Sequence, residues 1–326
     1  MRNVNFEVKN LVKNTVGFCL FLTIIIFSLE KTMAYYVSLS SDSHTGKVNL
    51  IMNHDIDPDV IVFGSSVTEV GFNSNIIESN INKSFYNLGI DGTPILKSEF
   101  LIDEFLSYSK NCDTIIIGLA FFSFSKMEGV TKPGRYLAYK SNVYLKENIQ
   151  KVAPELHSKL YNVPFYSFIV ANHTYYKNAF LGLKKSLNKE NFKRDAEKGF
   201  LGHEETYNDT RKSKEFKENI QISDETVLRF KNLINKIKSY NITPVLIIAP
   251  MHINGQNSFI NYDEYIDTAK KIASKTNTRL IDFSEDDIVK NDKYFYNNGH
   301  LNEIGALKFS MYVSDSLVYP KSRITK

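Results

Sequence analysis

The 326-residue chain reads as an α/β protein, a three-layer α/β/α sandwich with a mainly parallel sheet, carried behind an N-terminal transmembrane helix. Three observations predict this. Short β-branched runs alternate with helical patterns from residue 60 onward. Four of those runs end in glycines and small polar residues, as strands do where an open sheet binds its ligand. The first thirty residues hold a charge-free apolar stretch behind a basic start.

The N-terminus sets the compartment. Arg2, Lys9 and Lys13 stand against Glu7, and Thr15 to Leu29 then carries no charge before Glu30 and Lys31. A soluble core helix would show a polar stripe, and this segment is apolar all round. Leu11 to Leu29 approaches the roughly 20 residues a span needs, with Lys13 reaching back to the headgroups. A cleavable signal is the rival, with Thr32-Met33-Ala34 as its small-residue site. Either way, positive charge before the apolar run keeps the N-terminus inside and sends the remainder outside. The expected organisation is an anchor at 1–34, a polar stalk at 35–55 and an extracytoplasmic domain at 56–320 of a single-pass cell-membrane protein.

Within that domain, Val60 to Phe63, Ser84 to Ile90, Thr114 to Ala120, Pro244 to Ala249 and Arg279 to Phe283 read as strands. Ile95 to Tyr108, Asp224 to Tyr240, Tyr262 to Ser274 and Glu303 to Leu317 read as helices, the last with Asn302 as its cap. Residues 125–220, rich in Tyr, Lys and Asn, break the rhythm and read as an insertion, a lid or a partner surface.

Composition narrows the function. Apolar residues at 43% and charged residues at 23% are ordinary for a globular chain, and a net charge of +4 with no basic block gives no nucleic-acid footprint. Two cysteines, Cys19 and Cys112, offer no disulfide framework and no zinc spacing. No metal and no cofactor is expected.

The strand tips after Phe63, Ile90, Ala120 and Ala249 should meet at one rim of the sheet. The first, Gly64-Ser65-Ser66, can hold a serine where helix amides favour negative charge, and equally can be a cap or a phosphate-binding turn, though without the lysine of a P-loop. In the second, Asn87-Leu88-Gly89, the glycine can present a bare amide to an oxyanion or simply make a turn. His252, in the turn after the fourth of these strands, can line the cleft. The last tip, Asn297-Asn298-Gly299-His300, puts a histidine before a capped helix.

Together these residues resemble the SGNH (GDSL-like) hydrolase superfamily, and more closely its membrane-anchored members that acylate or deacylate cell-surface polymers, such as the protein that assists D-alanyl transfer to teichoic acids. The resemblance runs from about Val60 to Leu317, and HLNEIGALKF, starting at His300, is its most specific stretch. It implies Ser66 as nucleophile, His300 as general base and the amides of Ser66 and Gly89 as oxyanion donors; Ser65, Asn87 and His252 stand beside them as candidate binding residues. Two positions depart from the pattern. Asn297 stands where the superfamily has the histidine-orienting aspartate, a change that costs ~10⁴ in trypsin. A backbone carbonyl or another acid, such as Asp292, is a candidate to orient His300 instead. Gly118-Leu119-Ala120 lacks the usual asparagine donor, for which Ser123 or Ser125 could substitute. The implied function is an extracytoplasmic serine acyltransferase or esterase acting on acyl esters of a cell-surface glycopolymer, with a membrane-embedded acyltransferase as possible partner. The alternative is a catalytically degenerate domain that binds the polymer or that partner.

Overall fold

A computed structural model describes residues 2–188, 197–208 and 217–319. Five parallel strands, β1 (Val60–Gly64), β2 (Phe85–Gly89), β3 (Thr114–Leu119), β4 (Thr243–Ile248) and β5 (Arg279–Asp282), form a sheet in the order β2-β1-β3-β4-β5. This is the doubly wound, flavodoxin-like order, and its switch point lies between β1 and β3. Because both faces are covered, the strands are apolar almost throughout rather than alternating.

Side chains still divide by parity. Ile61, Phe63, Ile115, Ile117, Leu246 and Ile248 join one core cluster. There they meet Val48 and Ile51 of α2 (Ser43–Met52), Phe100 and Phe105 of α5 (Glu99–Tyr108), Phe230 and Leu233 of α10 (Asp224–Ser239), and Tyr265 and Ala269 of α12 (Tyr262–Lys275). Val60, Val62, Ile116, Val245 and Ile247 point the other way, toward Ile77 of α4 (Ser74–Ile81) and Phe309 and Val313 of α13 (Glu303–Val318). Asn302 caps α13, its side chain accepting from the Gly305 amide at 3.0 Å. A short hairpin that the sequence did not announce, β6 (Phe295–Asn297) and β7 (His300–Leu301), precedes that cap.

Helix α1 (Arg2–Ser38) is continuous, and its segment from Phe6 is long and apolar enough to cross a membrane. Its apolar side chains from Phe6 to Leu29 are exposed apart from a half-buried Ile26. From Glu30 onward it docks on the domain: Glu30 pairs with Lys140 and Ser167, and Val37 is fully buried. The expectation of a polar stalk at 35–55 is therefore corrected. Val48, Leu50, Ile51 and Met52 supply enough apolar surface to bury α2 in the core, and Asn49 ties α2 to the end of α1 through the carbonyls of Val37 and Ser40, both at 2.7 Å.

Residues 125–220 lie between β3 and β4. The helices of this insertion are α6 (Val143–Val152), which packs on α5, α7 (Pro154–Asn162), α8 (Tyr166–Val170) and α9 (His173–Leu187), which packs along α1. Its returning segment, residues 197–208, runs beside β2: the Asn87 amide donates to Lys198 O at 3.0 Å.

Candidate active site

A six-residue helix, α3 (Ser66–Gly71), lies across the ends of β1, β2 and β3. Three strand-end glycines permit that approach. A β-carbon on Gly64 or Gly118 would occupy the place of the Thr68 hydroxyl, and one on Gly89 would collide with the Glu69 backbone nitrogen. Asn87 then straps the helix down, its Nδ2 donating to the carbonyls of Thr68 at 2.9 Å, Glu69 at 3.2 Å and Phe72 at 2.9 Å. Ser66 is the first residue of α3 and is partly exposed at the rim.

His300 reaches the same point from the β6–β7 hairpin. Its Nε2 lies 2.9 Å from Ser66 Oγ, and its Nδ1 lies 3.0 Å from Asn297 Oδ1. The Gly299 amide donates to that same Oδ1 at 2.9 Å, so the oxygen end of the Asn297 amide must face the ring. An oxygen there requires a proton on Nδ1, which leaves Nε2 bare to accept the Ser66 hydroxyl proton. Tyr296 stacks on the imidazole at 5.5 Å and 13°, and His203 covers Tyr296 at 4.5 Å. Burial lowers the His300 pKa to about 4, while the carboxylates of Asp91 and Glu69 pull it the other way and His203 adds to the fall.

Several expectations change here. The Gly89 amide donates to Asn87 Oδ1 at 2.8 Å, so this N–H already has a partner, and neither Gly89 nor Asn87 offers a free donor to an oxyanion. Their observed work is to let α3 approach and to hold it. Among the described residues the Ser65 hydroxyl is buried without a hydrogen-bond partner. His252 has both ring nitrogens engaged by other partners. Its Nδ1 accepts from the Asn254 amide at 3.2 Å and its Nε2 donates to Asp292 at 2.9 Å, between the rings of Tyr207 and Phe295. Asp292 therefore serves His252 and does not replace the missing acid at His300. Ser123 accepts from the Ala120 amide at 2.9 Å and closes the turn after β3, and the Ser125 carbonyl accepts from the Thr226 hydroxyl at 3.1 Å.

The sequence reading also passed over a charged group beside the site. Glu69, one turn after Ser66, is buried and meets His44 Nε2 at 3.0 Å and Lys47 Nζ at 2.9 Å. Burial alone would raise its pKa, but the hydrogen bond from His44 and the charge and hydrogen bond of Lys47 outweigh burial and hold it below the usual range. Lys47 also donates to Gly89 O at 2.7 Å, and His44 Nδ1 accepts from Arg135 Nη2 at 3.1 Å. The signal for Lys47 was available, since Val48, Leu50, Ile51 and Met52 mark a buried helix. Arg135, at the end of the short 3₁₀ turn Pro133–Arg135, left none.

No family model and no curated protein matches the chain. Solved structures do resemble it at low identity. A catalytic mutant of an acetylxylan esterase from Geobacillus stearothermophilus is 12% identical, over 81% of this chain and 96% of that one, with a TM-score of 0.41. The esterase EstA from a Pseudoalteromonas species is 11% identical, over 81% of this chain and 100% of that one, with a TM-score of 0.38. An acetyl xylan esterase is 13% identical, over 80% of this chain and 99% of that one, with a TM-score of 0.39.

Proposed function

We propose that the chain is a membrane-anchored serine esterase or acyltransferase of the SGNH type, acting outside the cell on acyl esters of a surface glycopolymer. The observation that carries this reading is the hydrogen-bonded series Ser66 Oγ to His300 Nε2 and His300 Nδ1 to Asn297 Oδ1. Ser66 Oγ attacks the acyl carbonyl while its proton passes to Nε2. The tetrahedral intermediate collapses, Nε2 returns that proton to the departing alcohol, and an acyl ester remains on Ser66. Water or a sugar hydroxyl then gives its proton to Nε2 and takes the acyl group. Asn297 fixes the tautomer this requires but brings no negative charge, so the imidazolium relies on the more distant Asp91 and Glu69. Anchoring suits a polymer made at the membrane and a membrane-embedded acyltransferase that hands over the acyl group. The docking of Glu30 and Val37 on the domain supports an uncleaved anchor.

A degenerate, polymer-binding domain is the second reading, favoured by the engaged Gly89 amide. Labelling with a serine-directed fluorophosphonate separates the two. The catalytic reading expects covalent labelling of the wild type, none of Ser66→Ala, and a loss of acyl-ester turnover of about 10³-fold or more in that variant. A folded wild-type chain that takes no label and turns over no ester leaves only the binding reading.

A further inference from the structure

A pocket of about 460 Å³ opens on the side of the site where α2, the insertion and α9 meet. That is the size of a small-ligand pocket. Its wall holds three full positive charges, Lys132, Arg135 and Lys177, against one carboxylate, Asp42, together with His44 and Thr174. Lys177 meets Asp42 at 2.9 Å and Lys132 meets Asp91 at 3.4 Å, and both lysines are about half exposed. Arg135 differs. Its residue is only 5% exposed, and its guanidinium donates to the Asp91 carbonyl oxygen at 3.0 Å and to His44 Nδ1 at 3.1 Å. Among the described residues no carboxylate lies within ion-pair reach of its guanidinium. A buried cation calls for a counter-charge, and a guanidinium matches a planar or tetrahedral oxyanion.

We infer that this pocket is a subsite for an anionic group, a phosphate or a carboxylate, with Arg135 as its anchor and Lys132 and Lys177 at its mouth. Asp91 joins the pocket to the catalytic rim. It follows β2 by two residues, its carbonyl receives Arg135, and its carboxylate is near enough to His300 to favour the charged ring. On the acyl-transfer reading, on which this purpose rests, the subsite would hold a charged unit of the polymer while a neighbouring ester faces Ser66.

The test is calorimetric titration of the full chain in detergent micelles at constant ionic strength, with inorganic phosphate in one arm and glucuronate in the other. Saturable one-to-one binding of either anion is expected, and the arm that binds names the source. Arg135→Gln, and separately the surface pair Lys132→Ala with Lys177→Ala, should weaken that binding about tenfold or more. Unchanged melting of the surface pair guards against loss of fold. Ser66→Ala should keep the affinity while losing fluorophosphonate labelling. Failure of both anions to saturate, or affinities untouched by all three cation substitutions, overturns the subsite. A chain that binds phosphate yet never labels at Ser66 keeps the subsite and removes the acyl chemistry.

Discussion

Two histidines sit at the C-terminal edge of the same sheet, and they are wired in opposite senses. His252 has the carboxylate partner that a catalytic histidine is expected to have, yet its ring is 2% exposed and bonded on both nitrogens to structural groups. His300 has only an amide behind it, and its second nitrogen faces a serine hydroxyl at a sheet switch point. The tautomers follow. His252 carries its proton on Nε2 and gives it to Asp292, whereas His300 carries its proton on Nδ1 and presents a bare Nε2. What separates a working base from a structural ring is therefore where the lone pair points, and the acid alone does not reveal it.

The sharpest way to break this comparison is to remove each ring. His300→Gln should lower acyl-ester turnover about 10³-fold or more with an intact fold, because no other described group accepts the Ser66 proton. His252→Gln should do the reverse. It should cost about 2–4 kcal/mol of stability in denaturant melts, since it loses two hydrogen bonds and two ring contacts in a fully buried place, while the chemistry per folded molecule is retained. Equal losses of turnover in the two variants would dissolve the distinction.

The next effect comes from restoring charge. Asn297→Asp keeps an acceptor for the Gly299 amide and for Nδ1–H, and adds a carboxylate 3.0 Å from the ring. Turnover at neutral pH should rise about 10- to 100-fold. That is less than the full penalty seen when an amide gives the wrong tautomer, because here the tautomer is already correct.

The same substitution should move the pH profile. Burial holds His300 at about 4, so the acid limb of kcat/KM for a neutral acetate ester should fall there, well below the ordinary imidazole value of about 6.5. The sign for stability runs the same way. Between those two values the unfolded chain binds the proton that the folded ring refuses, so His300 makes the fold less stable as pH falls through that window. Asn297→Asp stabilises the imidazolium, and its acid limb should move upward. A limb that stays near 4 would mean that the added carboxylate does not reach the ring.

The core sheet and most of its helices were legible because buried parallel strands leave continuous β-branched runs and amphipathic helices leave a period, as in Thr114–Leu119 and Asp224–Ser239. The meeting of Ser66 and His300 could be expected from strand tips and their order. The role of Gly89 could not, since a glycine that exposes an amide and one that admits a helix look alike in sequence. Residues 35–55 misled because His44, Lys47 and Asn49 look like solvent-facing residues, whereas each satisfies a buried partner: Glu69, Gly89 O or the end of α1. Arg135 stayed hidden for a related reason: its partners His44 and Asp91 are about 90 and 44 positions away.

The smallest expected effect completes the pair of exchanges. Asp292→Asn makes at His252 the change that the chain already carries at His300, so a general rule that histidine partners must be acids would demand a large loss. The geometry argues against one. The Asp292 side chain is 70% exposed, so water and salt screen its charge, and the ring it serves is neutral because Nδ1 already accepts from the Asn254 amide. An asparagine oxygen can take the same Nε2–H bond. The cost should be about 0.5 kcal/mol or less in the melt, with no movement of the acid limb of turnover. A loss above about 2 kcal/mol would show that His252 needs a full negative charge beside it, and the contrast between the two rings would then rest on burial alone.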